Sequence, residues 1–165
     1  MRSVIRNIRI LLRDHENYDA RSELMWASSM AENGILKIGK ITDFQCHQIE
    51  HQLGAYTDCN HGQGLAVIHP VLYRHIYKNG VERFVRFAEN VWGIKEKKPA
   101  EKTALAGVEA LATFIEEIGL PTSFMQMGIP TDTNFRAVAD STNITAGCCK
   151  KLTHDEIYEI LQECI

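Results

Sequence analysis

Three of the seven histidines fall within one short stretch, at His47, His51 and His61. On a helix, residues four apart stand one turn apart on the same face, so His47 and His51 can converge on one ion. A break at Leu53-Gly54 and a second glycine at Gly62 allow the chain to bring His61 back as a third ligand. Imidazoles in such an arrangement can converge on a divalent metal. Histidines satisfied by hydrogen bonds fit the same spacing, and the pattern alone leaves both readings open.

His47-Gln48-Ile49-Glu50-His51 also matches H-x-x-E-H, the inverted zinc-peptidase pattern, with Glu50 as its general base. That reading leaves His61 and the glycine spacing unexplained. Cys46 and Cys59 flank the cluster but lack the turn spacing of a structural zinc site. The vicinal pair Cys148-Cys149 reads as packing. His15, His69, His75 and His154 have no spaced partners and read as structural.

Helical periodicity must position these residues. Val4, Ile8 and Leu11 repeat along a first helix, and Leu24, Ala27, Ser28 and Ala31 give a small-residue face that ends at Asn33-Gly34. Asp43 to Leu53 reads as a short helix capped by Asp43 and broken at Gly54. Its stripe of Cys46, Ile49 and Leu53 predicts that the adjoining histidine face is buried as well. Asn60 to Gly64 opens an apolar helix through Leu65, Ile68, Val71 and Leu72, which Pro70 should kink or distort. Val81 to Val91 and Leu105 to Ile115 form further stripes, with Pro99 ahead of the second. Gly119-Leu120-Pro121-Thr122 reads as a stop and a new start. Thr131 to Ala139 and Thr153 to Leu161 complete the set, the last with a capping box at Thr153 and Glu156. No segment alternates with period two, so the chain reads as all-α.

With 165 residues, 45% of them hydrophobic, the chain is long enough for one sizeable core. No linker or repeat interrupts it, which predicts one domain over 1–165. A net charge of −3 with interspersed signs gives no basic stripe for nucleic acid. Lys95 to Lys98 reads as a solvated loop. No apolar run approaches a membrane span, and charges interrupt the opening residues too often for a signal peptide. Five cysteines, two of them adjacent, suit a reducing cytoplasm.

The order of motifs carries a resemblance. His47, His51, Leu53-Gly54 and His61-Gly62 together resemble the C-terminal helical domain of the iron-containing (group III) alcohol dehydrogenases. Within that family they resemble the NAD(P)H-dependent butanol dehydrogenase and aldehyde reductase branch. Glu16 to Arg21, Leu24 to Ser28, Leu65 to Pro70, Phe87 to Trp92 and Ile118 to Thr122 resemble its other segments in order. The resemblance implies a dehydroquinate-synthase-like multi-helix bundle that forms the C-terminal part of a longer two-domain enzyme. It implies His47 and His61 as ligands of a divalent metal, Fe2+ by family with Zn2+ as the alternative. It implies His51 in proton transfer near the nicotinamide. Glu50 receives no transferred role from it, which leaves a hydrogen-bond acceptor behind the ligands, or a merely exposed residue, as its alternatives.

The implied chemistry is NAD(P)-dependent conversion between a small alcohol and its aldehyde. The family's other two ligands, an aspartate and a histidine four apart, are expected upstream of Met1, as is the nucleotide-binding domain that holds NAD(P)(H). Residues that bind the nucleotide are therefore not assignable, and the chain alone is expected to be inactive. A face normally covered by that domain predicts self-association. The competing expectation is a helical association domain that does no chemistry.

Overall fold

The computed structural model describes residues 1–95, 99–144, 147 and 149–165. Glu96 to Lys98 and Cys148 lie outside the described residues, and with them the expectations for the basic loop and the vicinal cysteines. The described residues form eight α-helices and two short 3-10 turns, with no strand among them, as the missing two-residue period predicts.

The chain divides into two units, Met1–Ile41 and Thr42–Ile165. In the first, α1 (Arg2–Leu11) packs on α2 (Tyr18–Glu32). Asn17 caps α2 by accepting from the Ala20 amide at 3.0 Å. Asn7 is buried and donates to the Ser3 carbonyl at 2.8 Å.

In the second unit, α4 (His61–Ile76) is the central element. It packs against α3 (Gln45–Thr57), α6 (Ala100–Glu117) and α8 (His154–Glu163). Its sequence explains this position. Ala66, Val67, Ile68, Pro70, Val71, Leu72 and Ile76 are all buried, so its apolar surface is too wide for one partner. The helix continues through Pro70, whose missing N–H costs the ladder one bond. From α3, Ile49 and Leu53 enter the same core, joined by Val108, Phe124, Ile157, Ile160 and Leu161. Each such side chain contributes about 1.5–3 kcal/mol on burial. The helix α7 (Phe135–Ser141) packs on α3 and α8.

Several boundaries differ from expectation. Gly54 does not break α3, which runs on to Thr57; the turn comes at Asp58, in the left-handed region with φ 53°. Asp43 does not cap the helix as its N-cap residue, a place Phe44 takes, although its Oδ1 accepts from the Gln45 amide at 3.0 Å. Gly119 ends α6 as expected, but Thr122 starts no α-helix. Its amide is taken by the Gln126 side chain at 2.8 Å. The next helix begins at Phe135 rather than Thr131, because Asn134 supplies the cap by accepting from Ala137. The capping box at Thr153 and Glu156 is present in both halves.

The helices α5 (Val81–Trp92) and α6 cross where glycine allows it. A Cβ on Gly107 would lie 2.8 Å from Ala88 Cβ and 2.9 Å from Ala88 Cα. Helix propensity alone predicts that Gly107→Ala stabilises by about 1 kcal/mol. The approach to backbone overrides this, and the expected outcome is a net loss of about 1–3 kcal/mol in urea unfolding, as for overpacked cores.

Candidate metal centre

The α3–α4 corner builds the cluster. After the left-handed Asp58, Asn60 caps α4 by accepting from the Gln63 amide at 3.1 Å, which makes His61 the first residue of the helix. His47 and His51 project from α3 one turn apart. The three rings converge: their centroids lie 5.5 Å apart for His47 and His61, 5.3 Å for His51 and His61, and 6.1 Å for His47 and His51.

The histidine face is not buried as the stripe suggested. His47 is half-buried, while His51 and His61 are exposed. The reason is the fourth member of the stripe. Cys46, Ile49, Glu50 and Leu53 follow the i, i+3, i+4, i+7 pattern, and it is this face that enters the core. The histidines sit along its edge.

Glu50, a general base only in the peptidase pattern and given no transferred role by the family resemblance, is the buried member of the cluster. Its side chain is only 2% exposed and contacts His61, Oε2 against Nδ1, whereas the His61 side chain is 53% exposed. The ligand atoms of Glu50, His51 and His61 can all lie within 4.8 Å of one another, a group able to hold a metal ion. His47 borders this group through its ring contacts with both histidines. The signal for Glu50 was its place in the apolar stripe, where a carboxylate is costly unless paired. Its burial also separates it from the peptidase pattern, because it faces His61 and the core rather than a solvent-accessible substrate.

Aromatic packing backs the cluster. Phe44 stacks on His47 with centroids 4.4 Å apart, and His69 meets His47 edge-on at 6.3 Å and Tyr73 at 5.4 Å. His69 donates from Nδ1 to the Leu65 carbonyl at 2.9 Å. His75 contacts Glu163 at 3.0 Å and His154 reaches the Thr142 carbonyl at 3.2 Å, so these histidines have structural partners, as expected. Burial pushes the Cys46 thiol well up and the Cys59 thiol up, favouring neutral thiols over thiolate ligands. Imidazoles with a carboxylate beneath them are a donor set that fits a borderline divalent ion such as Fe2+ or Zn2+.

Residues 1–165 match the profile of the Fe-containing alcohol dehydrogenase family, C-terminal. The chain belongs to this family. It is 35% identical over 164 residues to NADH-dependent butanol dehydrogenase B of Clostridium acetobutylicum, covering 98% of this chain and 42% of that one. It is 32% identical over 168 residues to butanol dehydrogenase A of the same organism, covering 99% and 43%. Among solved structures it resembles NADH-dependent butanol dehydrogenase A from Thermotoga maritima, with TM-score 0.89, 28% identity and coverage of 99% and 43%. The aldehyde reductase YqhD from E. coli matches with TM-score 0.90, 27% identity and coverage of 99% and 44%. The chain thus spans less than half the length of these relatives. Membership agrees with the all-α bundle and with the motif order from Glu16 to Thr122. No described helix is long and apolar enough to cross a membrane.

Desolvation lowers the His69 pKa below its ordinary 6.5, and its bond to Leu65 opposes this only in part. The folded state therefore keeps His69 neutral where the unfolded chain already takes a proton. Stability should fall as pH drops from 6.5 toward the lowered folded value, by up to about 1.4 kcal/mol per unit within that window. Urea unfolding across the window should show a flatter pH dependence for His69→Gln, whose amide can still donate to Leu65.

Proposed function

We propose that this chain is the C-terminal metal-binding part of a two-domain NAD(P)-dependent alcohol dehydrogenase or aldehyde reductase of the butanol dehydrogenase kind. The convergence of three histidine rings at the α3–α4 corner carries this reading, together with family membership. When bound, a divalent ion, Fe2+ by family, supplies Lewis-acid polarisation of the substrate oxygen, and reduced nicotinamide supplies hydride to the aldehyde carbon.

The chain's own residues divide the remaining work. His47 and His61 are the proposed ligands. Phe44 stacks on the first ring, and Glu50 sits beneath the second. His51 is exposed beside both and is suited to move a proton to or from the substrate oxygen. The remaining ligands and the nucleotide site belong, in this reading, to the part of the relatives' length that this chain does not span.

With a nucleotide-binding domain supplied, His47→Ala or His61→Ala should abolish NAD(P)-linked turnover of butyraldehyde and strip the metal in elemental analysis. His51→Ala should retain the metal and lose about 10²–10⁴-fold in turnover. Loss of metal from His51→Ala with retention in His61→Ala would reverse the assigned roles. Stoichiometric metal and full turnover by the chain alone would refute its dependence on a second domain.

Association is a second proposal, supported by the first unit. Tyr18, Met25 and Trp26 on α2 are 80%, 73% and 65% exposed, and Ile38 and Ile41 are exposed as well. Apolar residues in this number favour a covering partner. Light scattering should report self-association of the chain alone, and a monomer at high concentration would count against it.

A further inference from the structure

We propose that Glu50 is a positioning residue that fixes the tautomer of His61. Its buried carboxylate accepts the Nδ1–H, so that Nε2 keeps the lone pair offered to a divalent cation. The proposal deepens the metal-site reading and rests on it for the role of His61 as a ligand. The contact joins Glu50 Oε2 to His61 Nδ1 directly, so that one ring nitrogen is engaged by the carboxylate and the other is not. A histidine that binds metal through one nitrogen commonly donates from the other to a carboxylate, which sets ring orientation and basicity. Here the carboxylate is 2% exposed and the imidazole 53%, so the ring is held from the core side with its remainder facing outward.

The surrounding structure is shaped for this carboxylate. A Cβ on Gly64 would stand 2.8 Å from Glu50 Cγ and 2.9 Å from Oε1. Any other residue at position 64 would displace the side chain. The second oxygen, Oε1, accepts from the Cys59 thiol across 3.9 Å, which leaves Oε2 for His61. Position 50 lies between Ile49 and Leu53 in the core-facing stripe, where an apolar residue would bury without desolvation cost. Packing alone does not account for a carboxylate there; an oriented imidazole does.

The test uses the full chain, free of metal, at a pH well above the histidine range. Nitrogen-15 NMR should show His61 as the Nδ1–H tautomer in the wild type. Glu50→Gln should preserve that tautomer, because the amide oxygen still accepts. Glu50→Met, which suits the apolar stripe, should release the ring to a mixture of tautomers. Gly64→Ala, favoured by helix propensity, should do the same by displacing the carboxylate. Titration with Zn2+ should give a dissociation constant raised about 10–100-fold for Glu50→Met and Gly64→Ala, with a smaller rise for Glu50→Gln. An Nε2–H tautomer in the wild type, or a tautomer unmoved by both Glu50→Met and Gly64→Ala, overturns the proposal. A loss of Zn2+ affinity in Glu50→Gln as large as in His61→Ala also overturns it and makes Glu50 a direct ligand. Unchanged Zn2+ affinity in His61→Ala overturns the reading of His61 as a ligand, while the NMR result still decides the hydrogen bond.

Discussion

The corner between α3 and α4 is the constraint on which the candidate site depends. Asp58 reverses the chain in a left-handed conformation, and Asn60 caps the next helix. Between them they allow only Cys59 before α4 must begin. His61 therefore enters the first helical turn at a fixed distance from His47 and His51. The corner itself is anchored from both sides, by Ile49 and Leu53 on α3 and by Val67 and Ile68 on α4, all in one core. A histidine triad built across two helices needs this rigidity, because small displacements of either helix would separate the rings.

The same corner requires the fold to tolerate a carboxylate in its interior. Burying a carboxylate is costly, and a hydrogen bond from a half-exposed imidazole returns little net stability over an apolar replacement. The contact between Glu50 and His61 is therefore better understood as specifying geometry than as holding the fold together. Apolar burial around α4 supplies the stability. Gln45 follows the same logic on a neutral group. Fully buried at the start of α3, it donates to the Lys150 carbonyl and accepts from the Leu152 amide, each at 2.8 Å. It thereby fixes the histidine-bearing helix against a distant segment.

Much of this was legible in the sequence, and the failures have physical causes. The helices, the histidine spacing and the capping box rest on local periodicity and short-range hydrogen bonds, which a single sequence records. Gly54 misled because glycine weakens a helix without obliging it to end; the following turn to Thr57 is held by its own bonds, including Thr57 Oγ1 to the Leu53 carbonyl at 2.7 Å. The helix expected at Thr131 failed because Asn134 is the stronger cap. The burial of Glu50 depended on a partner eleven residues away and on the missing Cβ of Gly64, neither of which periodicity can see. Once Glu50 takes the core-facing place, the histidines are pushed to its edge. The error about the burial of the histidines and the open role of Glu50 thus share one cause, the assignment of a single helical face.

The three rings differ in how they are held. His61 is anchored through Nδ1 to the buried carboxylate, and His47 is backed by Phe44 and by an edge-on series running through His69 and Tyr73 to Phe84, each step 5.3–6.3 Å. His51 is exposed, as His61 is, and its ring centroid lies 6.1 Å from that of His47 and 5.3 Å from that of His61. A ligand must keep its orientation in order to hold an ion, whereas a proton carrier must exchange with solvent or substrate. The two proposed ligands are the rings with partners behind them, a buried carboxylate for His61 and aromatic rings for His47. This match between support and role is in line with the proposed roles, whereas the ligand atoms that come within 4.8 Å of one another are those of Glu50, His51 and His61, with His47 at their border.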